Sequence, residues 1–186
     1  QIELLTLAGI DFIALDTSNA VLYKQVTDVL FPVMLEYYNK GWNVPKVMYY
    51  LAANDGKNER YPEDLRTVYD YFYATDTYKP LWFCPNGKPM ITRHELANND
   101  FLKTFDGGKY LNFFEFRTRQ WPKNDYLKPD GAAWMELQYP PPLHTDWISI
   151  SVAQHYSVRF SDTVGTHGRG WNEETSENDH ENYGKG

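Results

Sequence analysis

Residues 11–20, DFIALDTSNA, form an apolar run that stops abruptly in an acid, two hydroxyls and an amide. Phe12, Ile13, Ala14 and Leu15 show no polar alternation, which predicts a short strand buried on both faces. Asp16, Thr17, Ser18 and Asn19 each carry a side-chain oxygen, and a helical pattern begins just beyond them. Helix capping accounts for part of this, since Ser18 or Asn19 can accept a hydrogen bond from an orphan backbone N–H of the next helix. Asp16 is left over. It stands at the carboxyl end of a strand, where barrel and doubly wound α/β enzymes carry their chemistry.

The same logic recurs at 46–55, KVMYYLAAND, where an apolar strand ends in Asn54 and Asp55 ahead of Gly56. Between the two runs, Leu22, Val26, Val29, Leu30, Val33 and Tyr37 fall at helical spacing, closed by Gly41. Pro32 lies inside this pattern and predicts a kink or bend. Upstream, QIELLTLAG reads as the last turns of a helix stopped by Gly9. Pro62 to Tyr73 predicts a second amphipathic helix with Leu65, Val68, Tyr69 and Phe72 on one face. Residues 80–94, PLWFCPNGKPMITRH, read as a strand, a Pro-Asn-Gly turn and a strand, hence a hairpin or a strand with a tight return. Residues 110–121 and 147–155 predict further strands, and from Thr163 onward the composition is that of a long loop.

Strands alternating with helices across short connections predict βαβ units and a parallel sheet. Parallel strands all end on one side, so a series of polar strand ends defines a site where a single one would be only a cap. A complete eight-fold barrel usually needs ~250 residues. With 186 residues and about five strands, the expectation is one domain over residues 1–186, an incomplete (β/α)-barrel-like sheet that is part of a longer chain.

Composition removes other classes of function. The net charge of −7 argues against nucleic acid or an anionic membrane surface, which need clustered Lys and Arg. Aromatic residues make up 17% of the chain, with 15 Tyr and 6 Trp, which suits sugar clefts as well as ordinary cores. Cys84 is the only cysteine, excluding an internal disulfide and a cysteine-based zinc site. No stretch approaches the ~20 apolar residues of a membrane-spanning helix. Histidine pairs with zincin spacing, a GxSxG elbow and phosphate-binding glycine patterns are missing, so no metal or cofactor is expected. The acidic run Glu173, Glu174, Glu177, Asp179 and Glu181 lacks EF-hand order and reads as solvated loop.

Three constellations carry candidate chemistry. In FFEFRTRQW, Glu115, Arg117 and Arg119 share one face by period 2, with Phe114 and Phe116 on the other. Charges on so apolar a strand form an internal ion pair or face a wet cavity, where an arginine fork can hold hydroxyls or a carboxylate. In AAWMELQYPPP, Glu136 follows Trp134, and a carboxyl beside a large aromatic is a candidate general acid. In SVAQHYSVRFSD, Gln154 and His155 close a predicted strand, and Arg169 follows in THGRGW.

Taken in order, DFIALDTSN, VPKVMYYL, GKPMI, FFEFRTRQW, WMELQYP, ISISVAQH and HGRGW resemble a group of bacterial glycoside-hydrolase barrels. These are related to glycoside hydrolase families 71 and 99 and to family-99-like domains of polysaccharide-processing loci. The resemblance implies strand ends facing a sugar, with Asp16, Asn19, Arg117, Trp121, Glu136, Gln154, His155 and Arg169 around the cleft. It also implies a secreted or periplasmic protein with an oligo- or polysaccharide substrate. In that group a strand with a Trp-Asn-Glu-Trp-like motif follows a loop resembling ENYGKG. These 186 residues lack it, which puts transfer of a complete catalytic pair in doubt.

The expected activity is hydrolysis of a complex polysaccharide, with Glu136 as acid and Asp16 and Glu115 as the other carboxylates. Asn19, Asn54, Arg117, Arg119, Trp121, Trp134, Gln154, His155 and Arg169 are the expected substrate-binding residues. One alternative is a carbohydrate-binding barrel without turnover. Another is a hydrolase or lyase acting on uronic acids, with Arg117, Arg119 and His155 on the substrate carboxylate.

Overall fold

The structure, a computed structural model, describes residues 1–17, 19, 21–51, 61–93, 105–120, 129–133, 171–172, 175 and 177–178. The chain falls into two compact units, Gln1–Thr118 and Arg119–Gly186. The first contains α1 (Ile2–Leu7), β1 (Phe12–Asp16), α2 (Lys24–Asn39), β2 (Lys46–Tyr50), α3 (Tyr61–Val68), β3 (Met90–Arg93) and α4 (Phe105–Phe113). It also holds the start of β4, Glu115–Gln120.

β1 to β4 are hydrogen-bonded neighbours in chain order, each pair parallel. This order matters. A doubly wound sheet reverses direction at a switch point and carries helices on both faces. A sheet that advances one strand at a time, with crossovers of one hand, carries its helices on one face, as a barrel does. Here Phe31 and Met34 of α2, Tyr61, Leu65 and Val68 of α3, and Tyr110 of α4 join Val47, Tyr49, Leu51 and Ile91 in one core cluster. Met48, Tyr50 and Met90 point from the opposite face of the strands and are buried outside that cluster. The architecture is an α/β, barrel-like parallel sheet of the incomplete kind.

α2 ends as its sequence predicts. Gly41 has φ +88, the Gly41 N–H donates to Tyr38 O and the Trp42 N–H to Tyr37 O. This is the double hydrogen bond of a Schellman turn, and the Tyr37 and Trp42 rings meet edge-on at 5.2 Å beside it. Pro32 lies within α2 on its solvent side.

The helix face differs from expectation. Thr27, Phe31 and Met34 are buried, while Val26 and Val29 remain 56% and 66% exposed. Both stripes of α2 are apolar. The one bearing Phe31 wins because that ring lies 4.5 Å from Phe72 and 5.4 Å from Tyr78, burying more area than three valines could.

Three further expectations are corrected. β1 is not buried on both faces: Ala14 and Asp16 are exposed and its other residues half-buried, because among the described strands it pairs only with β2. The central strand β2 is the buried one, with Val47 to Tyr50 all inaccessible. Residues 80–94 are not a hairpin. A 3-10 helix spans Asp76–Leu81, Trp82 makes one parallel bridge to Val47, and a turn through Gly87 leads into β3. Pro80 in the first arm and Pro89 in the second each lack an N–H donor that hairpin pairing would need. Residues 110–113 belong to α4 rather than to a strand, since Tyr110 is drawn into the helix-side core at 1% exposure.

The second helix is α3, prolonged by a π-helical turn at Tyr69–Tyr73, with Leu65, Val68 and Phe72 buried as their spacing requires. The second unit contains β5 (Gly131–Ala133) and an antiparallel pair, β6 (Trp171–Asn172) with β7 (Glu177–Asn178). That pair lies where the composition predicted only loop. The strand predicted at 147–155 lies outside the described residues. Among the described residues, no helix is long and apolar enough to cross a membrane.

Candidate functional site

Register places the last residues of β1 and β2 in one row with Thr92 of β3 and Arg117 of β4. Asp16 is paired with Tyr50, and the pairing Tyr49 with Ile91 puts Tyr50 opposite Thr92 one step further on. Thr92 is paired with Arg117. Side chains directly opposite in neighbouring strands share a face, so Asp16, Tyr50, Thr92 and Arg117 line the face away from the helix-side core. Asp16 and Arg117 are three strand spacings apart, roughly 14 Å across a flat sheet. Tyr50 and Thr92 between them are buried, at 4% and 0% exposure. Asp16 is exposed and Arg117 half-buried.

Side-chain bonds tie these strand ends together. Buried Thr17, next to Asp16, donates from its N–H at 3.0 Å and its hydroxyl at 3.2 Å to Tyr50 O. Thr92 Oγ1 accepts from Leu51 N–H at 2.7 Å and donates to Leu51 O at 2.8 Å. The buried Tyr61 hydroxyl donates to Thr92 O at 3.1 Å. Hydroxyls thus take over the backbone pairing where the ladder ends, and the row is held on rigid backbone.

Glu115 shares this face but lies at the other end. It is the first residue of β4, its Oε1 accepts from Asn86 Nδ2 at 2.8 Å, and its N–H donates to Pro89 O. Its partner is therefore the turn before β3 rather than an arginine. Its Oε2 is buried with no hydrogen-bond partner among the described residues. Lys46 and Cys84 belong to the same amino end. Lys46 Nζ donates to Pro80 O at 2.6 Å and lies 4.8 Å from the centre of the Tyr38 ring. Burial lowers the pKa of Lys46 and raises that of Cys84.

Asn19 does not cap a helix. Its Oδ1 accepts from Val21 N–H at 3.1 Å and its Nδ2 donates to the Tyr23 hydroxyl at 2.6 Å, both before α2 begins at Lys24. Tyr23 has φ 48 and ψ 45, the only non-glycine with positive φ among the described residues. That conformation costs about 1–2 kcal/mol for an L-residue with a bulky side chain.

Of the other expected site residues, Arg119 is half-buried in the last part of β4. Asn54, Trp121, Trp134, Glu136, Gln154, His155 and Arg169 lie outside the described residues. Sequence reading missed Tyr50, Thr92 and Tyr23. Tyr50 and Thr92 could not have been found from sequence, because only the pairing register sets them level with Asp16 and Arg117. No local signal marks Tyr23, because nothing in its neighbours demands a left-handed residue there. Among the described residues, no three His, Cys, Asp or Glu side chains group as metal ligands.

Together, strand order and strand-end row define an α/β protein with a barrel-like parallel sheet. Comparison with family models, curated proteins and solved structures yields no match.

Proposed function

We propose that the chain is a glycoside hydrolase acting on a complex polysaccharide outside the cytoplasm. The observation that carries this reading is the row Asp16–Tyr50–Thr92–Arg117, level with the carboxyl ends of β1 and β2 in a parallel sheet. An exposed carboxylate and a half-buried guanidinium roughly 14 Å apart on one face, set on buried Tyr50 and Thr92, match spaced sugar hydroxyls better than a compact apolar ligand. Tyr-rich composition adds ring faces for pyranose C–H groups.

Glu136 is the proposed acid, and Asp16 is the better second carboxylate. Glu115 is held by Asn86 at the amino end, the end that serves stability in barrels. Asn19, Asn54, Arg117, Arg119, Trp121, Trp134, Gln154, His155 and Arg169 are proposed to hold the glycan. The competing reading is a carbohydrate-binding barrel without turnover. The chain should be incubated with a panel of soluble polysaccharides while reducing-end release and retention on each polymer are measured. Release that Asp16→Asn abolishes supports hydrolysis. Retention without release moves the assignment to binding, and neither outcome on any polymer removes carbohydrate from consideration.

A further inference from the structure

We infer that Tyr23 is a sugar-stacking residue, an aromatic platform beside the carboxyl end of β1 that contributes to substrate selection. The inference rests on the carbohydrate reading and deepens it. The loop from Thr17 to Tyr23 connects the end of β1 to the start of α2, so it lies at the same end of the sheet as Asp16. Within it, the Tyr23 carbonyl accepts the Val26 and Thr27 N–H groups at 2.8 and 3.2 Å, which opens α2. A left-handed residue at this point is best supplied by Gly or Asn, which adopt it with little or no strain. The chain has tyrosine there instead.

Packing does not explain the choice. Tyr23 is 44% exposed, it is absent from the core cluster, and no ring of another described residue contacts it. What does engage it is Asn19, whose amide donates to the phenol oxygen while its carbonyl oxygen holds the Val21 N–H. Asn19 thus fixes the far end of the ring, and the left-handed backbone fixes the near end. Because the Tyr23 oxygen accepts from Asn19, its own O–H remains a donor for a ligand hydroxyl. A ring restrained at both ends and open on a face loses little freedom when a pyranose stacks on it. Asn19 then acts as a positioning residue through Tyr23.

The test uses the full chain and an array of neutral and uronate-containing hexasaccharides, with affinity measured for wild type, Tyr23→Asn, Tyr23→Phe and Asn19→Ala. Tyr23→Asn keeps the left-handed backbone and removes the ring. It should weaken binding about tenfold while the thermal midpoint holds or rises. Tyr23→Phe and Asn19→Ala should weaken it by smaller factors, since each keeps the ring and loses its anchor. Wild-type affinity in Tyr23→Asn, in a protein that still loses binding on Arg117→Ala, overturns the role of Tyr23 and leaves the carbohydrate reading standing. Absence of binding by the wild type to every hexasaccharide overturns both.

Discussion

Thr92 closes both main-chain groups of Leu51 with one hydroxyl, accepting from its N–H at 2.7 Å and donating to its carbonyl at 2.8 Å. Both residues are fully buried, so water cannot replace either bond. Thr92→Val keeps the shape and leaves a buried N–H and a buried carbonyl unpaired. The expected loss is about 2–4 kcal/mol, seen as a lower urea midpoint with unchanged slope. Thr92→Ser should recover most of it. If valine is tolerated without loss, the hydroxyl does not hold the end of β2.

Gly41 should resist substitution for a conformational reason alone. A Cβ at this position would meet nothing within 4 Å, yet φ is +88. Gly41→Ala is expected to cost about 1 kcal/mol, and Gly41→Asn less, because Asn tolerates the left-handed region. Thermal unfolding of the two variants would rank them. Equal midpoints would show that the turn, and not the residue, sets the end of α2.

Alkaline stability should depend on Tyr71. Burial, and then the bond its hydroxyl donates to Asp28 at 2.6 Å, raises its pKa from 10.0 to about 12. The unfolded chain loses this proton near pH 10 while the folded chain keeps it, so the folded state binds more protons between those values. The contribution is complete below pH 10 and fades as pH rises toward 12. Tyr71→Phe should show a shallower loss of stability across that window. Parallel curves for mutant and wild type would assign the alkaline limb to other groups.

Tyr73 offers the opposite case. Its hydroxyl is buried with no hydrogen-bond partner among the described residues, and burial raises its pKa well above the usual value. Tyr73→Phe removes an unsatisfied group and keeps the rings of Trp82 and Phe114 in contact at 5.4 and 4.9 Å. Stability should hold or rise by a few tenths of a kcal/mol, as read by thermal unfolding. A clear loss would mean that an internal water or another group satisfies the hydroxyl.

For the proposed hydrolysis, Glu136→Gln keeps shape and cannot deliver a proton. Turnover of polysaccharide should fall by ~10²–10⁴ while binding stays nearly intact. An aryl glycoside, which needs less protonation on leaving, should suffer less. Unchanged turnover in folded Glu136→Gln would move the acid to another carboxylate.

Much of the architecture was legible in short-range pattern. The runs at 12–16 and 46–50, the glycines at 9 and 41, and the 3.6-residue spacing in α3 are local constraints, set by backbone sterics and by neighbours a few residues away. From alternating strands and helices a parallel sheet follows, because a short crossover returns the chain in one direction only. The candidate site was legible only as types: acids, arginines and amides at strand ends.

What the sequence could not contain was register. Asp16 meets Arg117 in one row only because β2 and β3 pair at particular steps, and a shift of one residue would have turned either side chain to the helix face. The buried face of α2 was likewise undecided, since two apolar stripes competed and the aromatic partners Phe72 and Tyr78, some forty residues away, selected Phe31. Residues 110–113 became helix for the same reason, their local β preference yielding to the burial of Tyr110. Tyr23 stands in a left-handed turn that its own sequence disfavours, held by Asn19 and by the start of α2. Local sterics determined the elements of this protein, and long-range packing free energy decided their faces, their register and the side chains that meet.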